Sequence, residues 1–486
     1  MTESYVGVEY QLIEQGTYRM RKTTMLCIVQ LLFMTGCTQS VDLQATSSSE
    51  WENTHDERDQ IKGPTPLQAR QLPNIGVKKI IVAAVEWPGE QKLNPALLQK
   101  QVFSLDPTSL RSYILAASKG KLDLAGEVIT HVSDRPRPEV CNRTTYPFSL
   151  AVEEGTKAVI ANGRDPKNYD FQFNIVDCGG MASAQVGGKQ LSVYGQAIGT
   201  YIYWHEFGHS LGYTHGNSLI KCPSSGNVIS APTGCTTIAY GDTGNPVGGG
   251  SFLPDAKSRY FSGWLDDKQS VLITKTGLYR LGVLGKTEPQ GYRIDRPGQT
   301  PPEMVMEYRK PGPYDIFQPG DNRANGVWIR YSTKTGALLT TQLDGTPETA
   351  STADPTFLPG KVLKDEAAGI TVKVCSVSNT GATIAVSVNN QEMPGCVLQP
   401  PYAANPGSVR NPVRFSGLAS PGAEIRFSCK YSGRETTFNT MASMAERGDW
   451  SVEAPYLAVG YNTCEIRQHA ADITSEATVL GIRVTD

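Results

Sequence analysis

The chain has almost no charge imbalance. Lys and Arg number 45, Asp and Glu number 47, and the formal net charge over 486 residues is −2. Such a balance offers no basic face to phosphates and no positive patch to an acidic membrane, so charge implies neither a nucleic-acid nor an anionic-lipid partner. Long apolar runs are also missing. The most apolar early stretch, residues 25–34, falls well short of the roughly 20 residues a membrane-spanning helix needs. Histidine is scarce, with six in the whole chain. A cluster of histidines therefore carries information here that it would lack in a histidine-rich protein.

Glycine is plentiful at 48 residues, while aromatics stay at 8%. This mixture fits β-rich modules joined by turns better than a helical bundle. The length exceeds what one core supports and suggests two to four domains. Ten cysteines are present. Cys27 and Cys37 fall near the start, and the other eight sort into neighbouring pairs, which suggests disulfides 141–178, 222–235, 375–396 and 429–464. Eight cysteines allow about 105 pairings, so local pairing is an expectation rather than a deduction. Eight cysteines arranged this way point to an oxidising compartment.

Three of the six histidines fall within residues 205–215, in the run HEFGHSLGYTH. Positions four apart share one face of a helix, so His205 and His209 face a common point. Glu206 stands beside the first of them, placed to reach a water at that point. Gly212 accepts the positive φ that ends a helix and turns the chain back, which brings His215 in from a short loop. Three neutral imidazoles and one open position are the donor set of a catalytic zinc site rather than a structural one. Neutral ligands leave the 2+ charge intact to polarise a carbonyl and acidify a water, and Glu206 is the base that takes its proton and passes it to the departing amine.

The spacing HExxHxxGxxH resembles that of the metzincin zinc peptidases. The wider context is similar to the gametolysin (peptidase M11) family and its bacterial relatives: VKKIIVAAVE at 77–86, SKGKLDLAGEV at 118–128, and IAYGDTGNPVGGGSFLPDAKSRYFSGWL at 238–265. The likeness covers roughly residues 75–390. It implies a Tyr-Gly-Asp run, here 240–242, leading into a turn beneath the metal, and a Gly-Trp-Leu at the end of the catalytic domain. The family places a methionine in that turn, and the matching position here is Val247. That residue packs and does not ligate, so the departure bears on rate and metal affinity more than on reaction class. No tyrosine follows the turn to act as a fifth ligand, and no cysteine-switch motif precedes the domain. Asp242 is expected to shape the turn and not to react.

Met20 opens what reads as a second start, with Arg21-Lys22 as a basic segment and residues 25–34 as a signal-peptide core. Met34-Thr35-Gly36-Cys37 resembles a bacterial lipobox, which implies acylation of Cys37 and attachment to a membrane. Residues 1–37 are therefore read as a leader. Residues 38–73, polar and poor in apolar side chains, are read as a disordered tether.

Apolar runs and helical spacing predict strands at 80–85, 122–129, 169–176 and 185–194, and helices at 109–118, 149–161, 197–211 and 255–265. Tyr203, Phe207 and Leu211, four apart, form the core stripe of the zinc helix. The last strand before that helix is expected to be an edge on which an extended substrate adds. Short alternating segments then recur between turn signals from 271 to 388, and again from 411 to 484 after Pro400-Pro401. The expected architecture is an α+β metzincin-like catalytic domain (74–267) followed by two all-β sandwich domains, 268–397 and a bacterial Ig-like 398–486.

The functional expectation is a monomeric, zinc-dependent endopeptidase of extracellular or envelope proteins and glycoproteins, lipid-anchored through Cys37 or secreted. His205, His209 and His215 are its Zn2+ ligands and Glu206 its base. The competing reading is a surface adhesin with a decayed peptidase domain. The intact Glu206 argues against it, since a decayed site has no use for a base.

Overall fold

The computed structural model describes residues 6–11, 19–24, 60–61, 74–90, 92–196, 200–420, 422–443, 448–471 and 473–486. The chain divides into two compact units, Met1–Thr46 and Ser47–Asp486. In the first, strands Val6–Gln11 and Arg19–Thr24 pair antiparallel, and the latter overlaps the basic start of the expected leader. Cys27, Cys37 and the expected tether apart from Gln60–Ile61 lie outside the described residues.

The second unit begins with a sheet built around β1 (Gly76–Glu86), whose residues Ile80 to Val85 are fully buried. A strand covered on both faces needs a continuous apolar run rather than an alternating one. Helices α1 (Pro95–Phe103) and α2 (Leu110–Ser118) share a core with Ile80, Val82 and Ala84. Asn94 and Ser109 cap those helices, each accepting from a backbone N–H in the first turn. This satisfies a donor that the helix itself leaves open. Strand β2 (Leu122–Val132) follows, then α3 (Phe148–Ala161), which packs on the opposite face against Ile81, Ala83 and Val85. Strands β3 (Phe171–Val176), β4 (Ala182–Gln185) and β5 (Gln190–Tyr194) complete the sheet. Its order is Gln60–Ile61, β4, β5, β3, β1, β2. β1 runs parallel to β2 and β3, and β3 to β5, whereas β4 runs antiparallel to β5. The stretch 185–194 is thus two strands, not one, because the turn at Gly187, with φ +65°, folds it into a hairpin. Helix α4 (Tyr201–Ser210) puts Tyr203 and Phe207 into the same core as α1 and α2. The start of the expected helix, 197–199, lies outside the described residues.

After α4 the chain adds β6 (Asn217–Ile220), β7 (Val228–Ser230), β8 (Thr236–Ile238) and α5 (Ala256–Phe261). It then runs through β9 (Ser270–Leu272), β10 (Gly277–Gly282), β11 (Gly291–Asp295), β12 (Glu303–Tyr308), β13 (Val327–Lys334) and β14 (Leu338–Leu343). β15 (Val362–Asp365), β16 (Ile370–Val377) and β17 (Gly381–Ser387) follow. One sheet has the order β8-β6-β14-β13-β12-β11-β9, and another carries β7-β15-β16-β17-β10 beyond a short edge at Ser224–Ser225. Their facing side chains, among them Ile229, Ile329, Leu363 and Ile384, form one buried core.

Residues 402–485 form two further sheets. The smaller holds Arg414–Leu418 and Asp449–Glu453. The larger is built on Glu424–Tyr431, Arg434–Met441, Gly460–Ala470 and Thr478–Thr485. Phe415, Phe427, Trp450 and Ile466 close the core between them. Residues 411–413, expected as a strand, precede Arg414–Leu418 and are not part of it.

The expected fold class is corrected. The chain is 39% strand and 13% helix, spread over several sheets, and does not form an α+β metzincin-like catalytic domain followed by two all-β sandwiches. The reason lies in residues 217–238, where the sequence predicts no strand. They form β6, β7 and β8, and β6 and β7 pair in parallel with β14 and β15 from more than a hundred residues later. Strands of three or four residues carry too little alternation to be recognised alone, and long-range partners fix them.

All four expected disulfides form: Cys141–Cys178, Cys222–Cys235, Cys375–Cys396 and Cys429–Cys464. They indicate an oxidising, extracellular or otherwise exported location. Among the described residues no helix is long and apolar enough to cross a membrane.

Candidate metal centre

α4 places His205 and His209 one turn apart, both buried. The helix ends as Gly212 takes φ +100°, and the chain doubles back toward its own last turn. The next residues are pinned from a distance. Thr214 N–H donates to Leu338 O at 2.8 Å, and Leu338 N–H donates to Gly212 O at 2.9 Å. Gly216 N–H then donates to Val247 O at 3.0 Å. Held between these anchors, His215 brings its donor to the other two. The ligand-capable atoms of His205, His209 and His215 all lie within 4.8 Å of one another.

The orientation of two rings is fixed by hydrogen bonds. His205 Nδ1 lies 2.8 Å from Pro246 O, and His209 Nδ1 lies 2.8 Å from Tyr213 O. A carbonyl only accepts, so each ring carries its proton on Nδ1 and turns an Nε2 lone pair inward. Those two Nε2 atoms stand 3.2 Å apart. Two lone pairs at that separation repel each other unless a positive charge lies between them. Tetrahedral coordination at nitrogen distances of about 2.0–2.1 Å sets donors roughly 3.3 Å apart, close to the spacing here. The carbonyl partners are what ligating histidines need to hold ring and tautomer. The three histidines therefore fit a metal ion.

The turn 245–248 lies directly under the helix. Val247 is fully buried, and a Cβ added at Gly208 would stand 2.6 Å from its Cγ1. Valine thus occupies the space beneath the site and leaves none for a side chain on that helix position. Asp242 is fully buried at the start of the turn. It accepts from Gly244 N–H at 2.9 Å and from Arg330 Nε at 2.7 Å, which fixes the start of the turn.

Glu206 is buried beside His205. Tyr194, at the end of β5, lies within its field: burial pushes the tyrosine hydroxyl up, Arg143 works against this, and the Glu206 carboxylate adds to the rise. Tyr240 packs its half-buried ring on His215, with centroids 3.9 Å apart, from a backbone at φ +56°. Neither Tyr194 nor Arg143 stood out in the sequence, because their spacing to the motif has no fixed rule. Tyr240 was legible as the start of the Tyr-Gly-Asp run, but its contact with His215 was not. Cys37 lies outside the described residues.

Below the turn sits a chain of buried charges. Arg330 bridges Asp242 and Glu307, and Arg309 joins Glu307 to Asp315. Burial works to raise the Glu307 carboxyl, but Arg309 and Arg330 prevail and hold it at about 2. Glu307 and Arg309 come from β12 and the residue just past its end, and Arg330 from β13, so the second sheet supplies the floor of the metal site.

No protein-family model and no curated protein matches the chain. Solved structures align with it only at low similarity. A chain from a chaperone–substrate complex aligns at 15% identity over 39% of this chain and 36% of its own, with a TM-score of 0.21. A β-1,2-glucanase from Parabacteroides distasonis aligns at 9% identity over 23% of this chain and 17% of its own, with a TM-score of 0.15. In both, this chain spans less than two thirds of the other's length. A structure described as a protease aligns at 11% identity over 86% of this chain and 98% of its own, again with a TM-score of 0.15. TM-scores this low carry no argument about fold or function, which leaves the three-histidine centre as the feature from which function is argued.

Proposed function

We propose that the chain is a zinc-dependent endopeptidase acting on extracellular or envelope proteins, exported and tethered by a lipid on Cys37. The observation that supports this most is the pair of inward Nε2 atoms 3.2 Å apart, each imidazole locked by a carbonyl at its far nitrogen. Together with His215, that arrangement suits a small divalent ion taking nitrogen ligands, and zinc is the common one for an all-imidazole set. Zinc in this setting acts as a Lewis acid, lowering the pKa of water and polarising a carbonyl oxygen.

The chain's own residues do the rest. Neutral histidines hold the ion without cancelling its charge. Glu206 accepts the proton of the attacking water as the new C–O bond forms, then delivers it to the peptide nitrogen as the C–N bond breaks. Burial of Glu206 keeps bulk water from competing for that proton. The resemblance of residues 205–215 to the metzincin peptidase motif and the exported, disulfide-bonded character of the chain agree with this reading.

The purified protein incubated with casein, with and without a zinc chelator, tests the assignment. Chelator-sensitive cleavage that zinc restores is the expected result. Zinc bound at one equivalent with no cleavage of any polypeptide would leave only a surface-binding role.

A further inference from the structure

We infer that the loop after β14, residues 344–355, binds a hard divalent cation, calcium, through oxygen ligands led by Asp344. Asp344 is fully buried. Its Oδ1 accepts from Thr346 N–H at 2.8 Å and lies 3.1 Å from Thr346 Oγ1. Oδ2 is just as buried, and among the described residues no donor reaches it. A buried carboxylate oxygen without a partner is costly, and a bound ion is one of the few explanations for it.

The surroundings supply further oxygen and no free cation. Gly345 N–H donates to Pro355 O at 2.8 Å, which closes the loop on itself. Thr346 Oγ1 lies 2.7 Å from Asp354 O, so one hydroxyl touches both Asp344 and Asp354. Burial raises the Asp344 carboxyl; Thr346 works against this, and the negative field of Asp354 and Glu348 adds to it. Lys361 is engaged elsewhere, its Nζ 3.0 and 3.3 Å from the two oxygens of Glu348.

Oxygen donors of this kind select a hard ion, whereas the imidazoles of the histidine centre select zinc. Calcium takes about six to eight oxygens in irregular geometry, and magnesium demands a near-regular octahedron. A loop that offers Asp344 Oδ2, the Asp354 carboxylate and its own carbonyls, with water completing the shell, therefore suits calcium. The loop is also tied to the core. Thr352 O accepts from Thr243 Oγ1 at 2.9 Å and from Gln342 Nε2 at 3.0 Å. Calcium thus acts on stability and leaves the zinc ligands untouched.

The test uses the full chain, loaded with zinc, in buffer freed of calcium by a chelating resin. Melting and titration calorimetry near pH 8 follow added calcium chloride, with magnesium chloride in parallel, for wild type, Asp344→Asn and Asp354→Asn. The expected result is one calcium per wild-type chain and a melting temperature raised by at least about 3 °C at saturation. Asp344→Asn should abolish that shift, and Asp354→Asn should weaken calcium affinity at least about tenfold. Retained zinc shows that each variant is folded. Without calcium, asparagine removes a buried charge, so the response to calcium is the readout and the absolute melting temperature is not. No calcium response in wild type up to about 10 mM, or an equal response in Asp344→Asn, would overturn the inference and assign Oδ2 to a bound water. An equal response to magnesium would mark general screening of acidic groups and overturn it too.

Discussion

Arg330 donates through Nε and Nη2 to both carboxylate oxygens of Asp242, at 2.7 and 3.0 Å, across 88 residues of sequence. Both side chains are buried, and the pair ties the turn under the histidines to β13. Removing one member of a buried pair strands the other charge, at a cost of about 3–5 kcal/mol. Arg330→Met should lower stability by that order and loosen zinc binding, although Arg330 touches no ligand. Denaturant unfolding with and without zinc checks this; an unchanged midpoint and zinc affinity would show that the metal site stands without the second sheet.

Gly208 and Val247 test the packing beneath the helix. Alanine in place of an interior helical glycine ordinarily gains about 0.5–1 kcal/mol. Here the new Cβ meets Val247 Cγ1 at 2.6 Å, and overpacking costs about 1–3 kcal/mol. Gly208→Ala should therefore destabilise, and should weaken zinc binding because Pro246, which orients His205, precedes Val247. Adding Val247→Ala should restore much of the loss. A double-mutant cycle by thermal melting measures the coupling, and simple additivity would refute the contact.

Glu206→Gln keeps the shape of the side chain and removes the base. Zinc content should stay at one equivalent while kcat falls by about 10²–10⁴. Metal analysis alongside casein turnover separates this from a folding defect. Activity surviving the change would defeat the proposed proton transfer.

Asp344 gives a pH signature far from the histidines. Burial raises its carboxyl to about 6; the Thr346 backbone and hydroxyl work against this, and Asp354 and Glu348 add to it. A carboxyl raised above its unfolded value contributes stability below about 4, and that contribution is lost as pH rises through about 6. Asp344→Asn should therefore raise the melting temperature at pH 8 relative to wild type, with the advantage shrinking at pH 4.5. Scanning calorimetry at the two pH values checks it; a pH-independent difference would contradict the shift.

Cys37→Ser should release the protein from membranes into the soluble exported fraction. Fractionation of expressing cells measures this, and unchanged membrane association would remove the lipid anchor from the proposal.

Local rules were enough for much of the first sheet. The unbroken apolar run at 80–85 needs no distant partner to be read as a buried strand, and it lies within β1. α2 and α3 were readable from spacing. α1 went unread, although Asn94 followed by Pro95 is a cap and first-turn pair, because its short apolar pattern is weak. The expected strand 185–194 runs through the hairpin turn between β4 and β5, because glycines at 187 and 188 fit a strand interior as well as a turn when no partner strand is known.

The sequence alone determined the cluster of histidines, since spacing of four on a helix and a glycine stop are set by backbone geometry within eleven residues. It also suggested the disulfide partners, which lie close along the chain and which the structure pairs as expected. Only the tertiary structure decided what holds that cluster. Leu338 pins the return of the chain to His215, Arg330 and Glu307 floor the turn, and Tyr240 covers a ring. These contacts join residues far apart in sequence, by 23 positions for Arg330 and Glu307 and by 124 for Leu338 and Thr214. Their strength comes from burial and pairing with a partner that no local pattern announces, and for the same reason the strands at 217–238, and with them the fold class, were decided in space.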